Sequence, residues 1–85
     1  MSDRVTVLLF AMARETVGRS QLDWPVKPRG ETARELIRSL SESYPGLAPT
    51  LRASRFVLNG EYLSNLAARV RPGDEFAVHP PYGGG

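Results

Sequence analysis

Only one stretch of this sequence, Thr32 to Tyr44, is long and periodic enough to be a packed helix, and that restricts everything around it. Thr32 with Glu35 three positions later is a capping box, which satisfies amide donors that a helix start otherwise leaves without partners. Ala33, Leu36, Ile37, Leu40 and Tyr44 then recur on one face, while Arg34, Glu35, Arg38 and Glu42 point elsewhere. Pro45-Gly46 stops it. One apolar helix face must be buried against something, and the remaining apolar segments are too short and too rich in β-branched residues to be helices. The partner is therefore a sheet.

Val5 to Phe10 reads as a first strand that lies inside the sheet, because both of its faces, Val5, Val7, Leu9 and Thr6, Leu8, Phe10, are largely apolar. Ala11 to Val17 is a short helical segment closed by Gly18. Arg19 to Trp24 alternates as a second strand, ended by Pro25, Pro28 and Gly30. Phe56-Val57-Leu58, Asn59-Gly60 and Glu61-Tyr62-Leu63 form a hairpin, since Asn-Gly supplies the positive φ angles of a type I′ turn. Pro72-Gly73-Asp74 turns the chain into a last strand, Glu75 to His79, with Phe76 and Val78 inward. The order β, short helix, β, long helix, β, β, β predicts an α+β fold with a mixed sheet of about five strands curled over one main helix. In a ubiquitin-like β-grasp the first and last strands sit centrally and run parallel.

Composition narrows the chemistry. Eighty-five residues hold one core and no second catalytic domain. With no Cys and one His there is no disulfide, no thiol nucleophile and no four-ligand zinc site of the usual kind. No P-loop is present, because Lys27, the one lysine, follows no glycine-rich cradle. Neither catalytic residues nor metal ligands are expected. The net charge is only +2, and Arg alternates with acid along the helix rather than clustering, which argues against nucleic acid. The apolar run Val7 to Ala13 is far below the ~18 residues of a membrane span. Cytoplasmic residence is the default expectation.

The chemistry concentrates after His79, where the chain reads Pro80-Pro81-Tyr82-Gly83-Gly84-Gly85. The expected division is a domain over residues 1–79 and a flexible tail over 80–85. Two prolines direct the chain away from the sheet in extended form, and glycines without Cβ pass through a narrow channel. Four residues beyond Pro81 reach about 13–14 Å, enough to enter another protein's active site. A carboxylate there is a poor electrophile until it acquires a leaving group, so it would be activated as an acyl adenylate by a separate catalyst. A frayed end without function is the plain alternative. Once the helix is covered, Leu8, Phe10 and Ala77 remain on the outer sheet face as a partner-binding surface. His79 reads as a polar strand end, Arg14 and Glu15 as a local or partner-binding pair, and Trp24 and Tyr44 as core or core-edge residues.

Phe10-Ala11, Arg14-Glu15 and Gly18, Leu36 and Leu40 on the helix, Asn59, Gly73-Asp74-Glu75, and Pro80-Pro81 before Gly84-Gly85 together resemble the MoaD-like sulfur-carrier family, the small subunits of molybdopterin synthase. The resemblance covers nearly the whole chain. It implies that Gly85 is adenylated by a ubiquitin-activating-enzyme-like adenylyltransferase that uses ATP, and is then converted to a thiocarboxylate. It further implies that the tail, Pro80 to Gly84, enters the large synthase subunit, where the sulfur builds the dithiolene of molybdopterin. No cofactor bound by this chain is implied. Tyr82 and Gly83 depart from the family's usual Val followed by Ser or Ala. Similar carriers serve thiamine, cysteine or tRNA thiolation, or act as protein modifiers or interaction modules, and a single lysine disfavours a polymeric modifier.

Overall fold

The computed structural model describes residues 3–81. Its strands are β1 (Arg4–Leu9), β2 (Gln21–Pro25), β3 (Glu31–Thr32), β4 (Arg55–Leu58), β5 (Glu61–Tyr62), β6 (Arg69–Val70) and β7 (Glu75–His79). The helices are α1 (Ala11–Val17), α2 (Ala33–Ser43) and α3 (Ala48–Ala53), with a 3₁₀ turn, Pro45–Leu47, between the last two. Five strands form one sheet in the order β2-β1-β7-β4-β5, and β3 with β6 forms a separate two-stranded ribbon. β1 and β7 pair in parallel at the centre, Thr6 opposite Glu75 and Leu9 opposite Val78, while all other pairs are antiparallel. This is the β-grasp arrangement expected from the sequence.

Alternation along the central strands sorts the residues. Val5, Val7 and Leu9 on β1, Phe76 and Val78 on β7, Leu22 on β2 and Phe56 on β4 are buried with Ala33, Leu36 and Leu40 of α2. Phe56 and Phe76 stack with ring centroids 5.5 Å apart. Trp24 and Tyr44 are half-buried at the core edge, and the Trp24 indole N–H donates to Ser39 Oγ at 3.0 Å.

The start of α2 is fully provided for. Thr32 Oγ1 accepts from the Glu35 amide at 3.1 Å and Glu35 Oε1 accepts from the Thr32 amide at 2.9 Å, the expected capping box. The two amides between them, those of Ala33 and Arg34, donate to the carbonyls of Ala68 and Leu66. The segment before β6 thus caps α2 from outside the helix, which is why the short β3–β6 ribbon exists where no alternation marks it in the sequence. Gly30, buried at φ +82°, turns the chain into β3 where a Cβ would run into the Val70 carbonyl.

Three features differ from the sequence reading. β1 ends at Leu9, and Phe10 is the N-cap of α1. β2 starts at Gln21 rather than Arg19. After Pro45-Gly46 the chain does not stay irregular but forms the 3₁₀ turn and α3, which add Leu47 and Leu51 to the buried core. With three residues between those two leucines and Pro49 tolerated in the first helical turn, α3 is too short to show a helical period.

Candidate functional site

The face of the sheet opposite α2 is polar at one end and apolar at the other. Asp23, Thr6 and Glu75 lie in one cross-strand row. Two positions further along, Gln21, Leu8, Ala77, Val57 and Tyr62 form the next row across all five strands. Beyond it stand His79, opposite Arg55 on β4, and Phe10, whose ring stacks on His79 at 4.8 Å. The Tyr62 ring lies 6.2 Å from the same imidazole. Apolar surface therefore gathers at the end of the sheet where β7 leads into Pro80 and Pro81.

Phe10 is held there by its backbone. Ala11 adopts φ +49°, a left-handed conformation that costs a residue with a Cβ about 1 kcal/mol or more. That turn breaks the chain out of β1 directly after Phe10 and starts α1, whose end is closed by Gly18 at φ +83° with its N–H on the Arg14 carbonyl at 2.7 Å. Arg14 and Glu15 are exposed within this helix.

The three surface residues anticipated from sequence share this face but not one environment. Phe10 is 41% exposed, Leu8 is half-buried, and Ala77 is only 5% exposed because Leu8 and Val57 flank it on the neighbouring strands. Tyr62, 66% exposed, and Val57 belong to the face and were not singled out. Continuing the alternation of β7 into β4, and through the Asn59-Gly60 turn into β5, would have found both. His79, read as a polar strand end, is half-buried between two aromatic rings. Of the tail, Pro80 is half-buried and Pro81 exposed, while Tyr82, Gly83, Gly84 and Gly85 lie outside the described residues.

Other sequence signals turn out to position this platform. Asn59 clamps the hairpin to the turn before β7. Its Nδ2 donates to Asp74 Oδ1 at 3.1 Å and its Oδ1 accepts from the Glu75 amide at 2.9 Å. Asp74 Oδ2 in turn accepts from the Arg71 amide at 2.8 Å. These bonds fix β4 beside β7 and so set Val57 and Arg55 against Ala77 and His79. Among the described residues there is no group of three or more metal-ligating side chains, and no helix is long and apolar enough to cross a membrane.

The chain matches known proteins over nearly its full length. The ThiS family model matches residues 7–85. The molybdopterin synthase sulfur carrier subunit of Dictyostelium discoideum is 34% identical over 86 residues, covering the whole of both chains. Among solved structures, SAMP1 from Haloferax volcanii superposes with a TM-score of 0.83 at 24% identity, over 96% of this chain and 99% of that one. A complex of subunits 1 and 2 of molybdopterin-converting factor from Helicobacter pylori contains a chain that superposes at 0.67 and 24% identity, over 96% of this chain and 99% of that one. The structural likenesses establish the shared β-grasp fold, and the match along the sequence establishes descent: the chain belongs to the ThiS family.

Proposed function

We propose that this protein is a cytoplasmic sulfur carrier for molybdenum cofactor biosynthesis. The observation that carries the reading is the similarity to a molybdopterin synthase sulfur carrier subunit, 34% identical over an alignment that covers the whole of both sequences. The reacting group is the carboxylate of Gly85. It attacks the α-phosphorus of ATP on a separate adenylyltransferase, pyrophosphate leaves, and a sulfur nucleophile then displaces AMP from the acyl carbon to leave a thiocarboxylate. This chain contributes no acid, base or metal to those steps.

Its own contribution is docking. The Phe10, Leu8, Val57 and Tyr62 end of the outer sheet face adjoins Pro80 and Pro81, so a partner that covers the patch receives the tail at a fixed origin. The partner is the large subunit of molybdopterin synthase; the complex of two molybdopterin-converting factor subunits on the same fold supports that pairing. Within it, Gly83 and Gly84 pass the channel and the terminal sulfur adds to the pterin precursor.

Mass spectrometry of the intact protein tests the chemistry. Incubation with the activating enzyme, ATP and a sulfur donor exchanges one oxygen of the terminal carboxylate for sulfur. A variant extended by one residue after Gly85 stays unmodified while its circular dichroism is unchanged. Thiolation of the extended protein without trimming overturns the assignment of Gly85. A wild-type chain that is never modified favours an interaction module instead.

A further inference from the structure

A groove runs along the α2 side of the β4–β5 hairpin, between that hairpin, α2 and α3. Its apolar part is lined by Ile37 of α2, Leu51 of α3, and Leu63 and Leu66 in the segment after β5. Leu51 is buried, but Ile37, Leu63 and Leu66 rest against the core with only part of their surface and stay half-open. Arg52 and Arg55, both exposed, stand where α3 passes into β4, and among the described residues no carboxylate lines the groove.

β5 is also an edge of the five-stranded sheet. The Leu63 amide donates to the Phe56 carbonyl at 2.9 Å, and Tyr62 stands opposite Val57. Bonded and non-bonded pairs alternate along an antiparallel ladder, so Phe56 with Leu63 is a bonded pair and Tyr62 turns its amide and carbonyl away from β4. Such an edge accepts an added strand. Side chains of that strand would alternate too: those on the face of Leu63 fall into the groove about 7 Å apart, and those between them lie with Tyr62 on the outer face.

We propose that this edge and groove bind an extended acidic segment of a partner protein, added antiparallel to β5, with alternate aliphatic side chains against Ile37, Leu51, Leu63 and Leu66 and carboxylates on Arg52 and Arg55. Charge fixes the composition, because two guanidiniums without an acid beside them in the wall repel a basic segment and attract an acidic one. Charge also fixes the direction. Glu61 occupies the other end of β5, opposite Leu58, so the partner's acids belong beyond Leu63. An antiparallel strand reaches that end with its N-terminal residues, so the carboxylates precede the aliphatic residues. Antiparallel pairing is the more stable of the two arrangements. The interaction goes beyond sulfur delivery, since it uses neither Phe10 nor Gly85 and shares with the docking patch only Arg55 and Tyr62.

The probe is the blocked hexapeptide Asp-Asp-Ile-Thr-Val-Thr, titrated into the full chain and followed by nuclear magnetic resonance. The Tyr62 amide proton is expected to move downfield, and the methyls of Ile37, Leu51 and Leu66 to shift, while those of Leu8 and Ala77 stay in place. Lysines in place of both aspartates should weaken binding about tenfold. A double variant, Arg52→Glu with Arg55→Glu, changes exposed side chains, keeps its circular dichroism, and should prefer the lysine peptide. Proline in place of the first threonine, which faces Tyr62, removes a bonding amide and should abolish the Tyr62 shift along with most of the affinity. No binding at millimolar peptide, or shifts confined to Leu8 and Ala77, would overturn the site. Equal affinity for the acidic and basic peptides would overturn the charge assignment, and undiminished binding of the proline peptide would overturn the added strand. Those peptide comparisons leave the protein unaltered, so they decide the matter even if the double variant fails to fold. Neither the activating enzyme nor the large synthase subunit enters the experiment, so its failure and that of the proposed function are separate results.

Discussion

Truncating Phe10 to alanine separates what this ring does for the fold from what it does for a partner. A phenyl side chain presents about 200 Å² of apolar surface. Since the residue is 41% exposed in the free protein, about 80 Å² remains for a partner to cover, which at about 25 cal/mol per Å² is about 2 kcal/mol, or roughly thirtyfold in Kd. The covered remainder, including the stack on His79, contributes to stability, but Phe10 lies outside the cluster of Val5, Val7, Leu9, Phe76 and Val78 that holds the sheet to α2. Phe10→Ala is therefore expected to melt lower yet fold. Isothermal calorimetry against the large synthase subunit, well below a melting temperature set by circular dichroism, measures the quantity. A folded variant with Kd within twofold of the parent would show that the apolar end of the sheet face stays uncovered in the complex, and the docking argument would fall.

Gly84→Val is expected to leave thermal stability unchanged and to slow adenylation sharply, because the branched side chain crowds the channel; activation at the parent rate would assign that glycine another role. Gly30→Ala should destabilise the domain by about 2–4 kcal/mol in urea titrations, combining a left-handed backbone with a Cβ driven into the Val70 carbonyl; a loss under 1 kcal/mol would mean that the β3–β6 ribbon yields freely. Glu35 is held below the usual carboxylate value of 4.5, first by the Thr32 amide and then by the Thr32 hydroxyl. A depressed folded-state pKa contributes stability that is present above the unfolded value and lost as pH falls through the folded one. Glu35→Gln should accordingly flatten the acid limb of a melting-temperature profile between neutrality and pH ~3, and an unaltered limb would show that the cap does not contribute to it.

What the sequence reveals here is what short segments encode by themselves. The capping box at Thr32 and Glu35, the Asn59-Gly60 turn with φ +50° and +87°, and the glycine end of α1 are each decided within a few residues. The parity of β1 and β7 also follows from alternation, and with it the inward set and the location of Leu8 and Phe10. The β3–β6 ribbon is different. Its two-residue strands pair Glu31 with Val70 across a long intervening chain, and what selects them is the need of the Ala33 and Arg34 amides for acceptors. Nor does any local signal announce that Asn59 reaches Asp74 and Glu75, although both ends of that clamp are visible as turn residues. Around the candidate site, Phe10 was legible as leftover apolar surface, whereas Tyr62 and His79 acquire their place only when β4, β5 and β7 are set side by side.

The parallel pairing of β1 with β7 also governs when the domain can form. Thr6 must find Glu75, and Val7 must find Phe76, so the central contact of the sheet joins the first strand to the last. During synthesis β1 waits unpaired on that side until β7 has left the ribosome, and in refolding the closure of this long loop is expected to limit the rate. β7 is also the strand from which Pro80 and Pro81 leave the sheet. A molecule lacking its last strand has no platform for the Phe10 patch, and a molecule that has gained the platform has already translated the strand that bears the tail. Folding and presentation of the Phe10 patch are in this way one event, so a nascent or damaged chain lacking β7 offers a partner no docking surface.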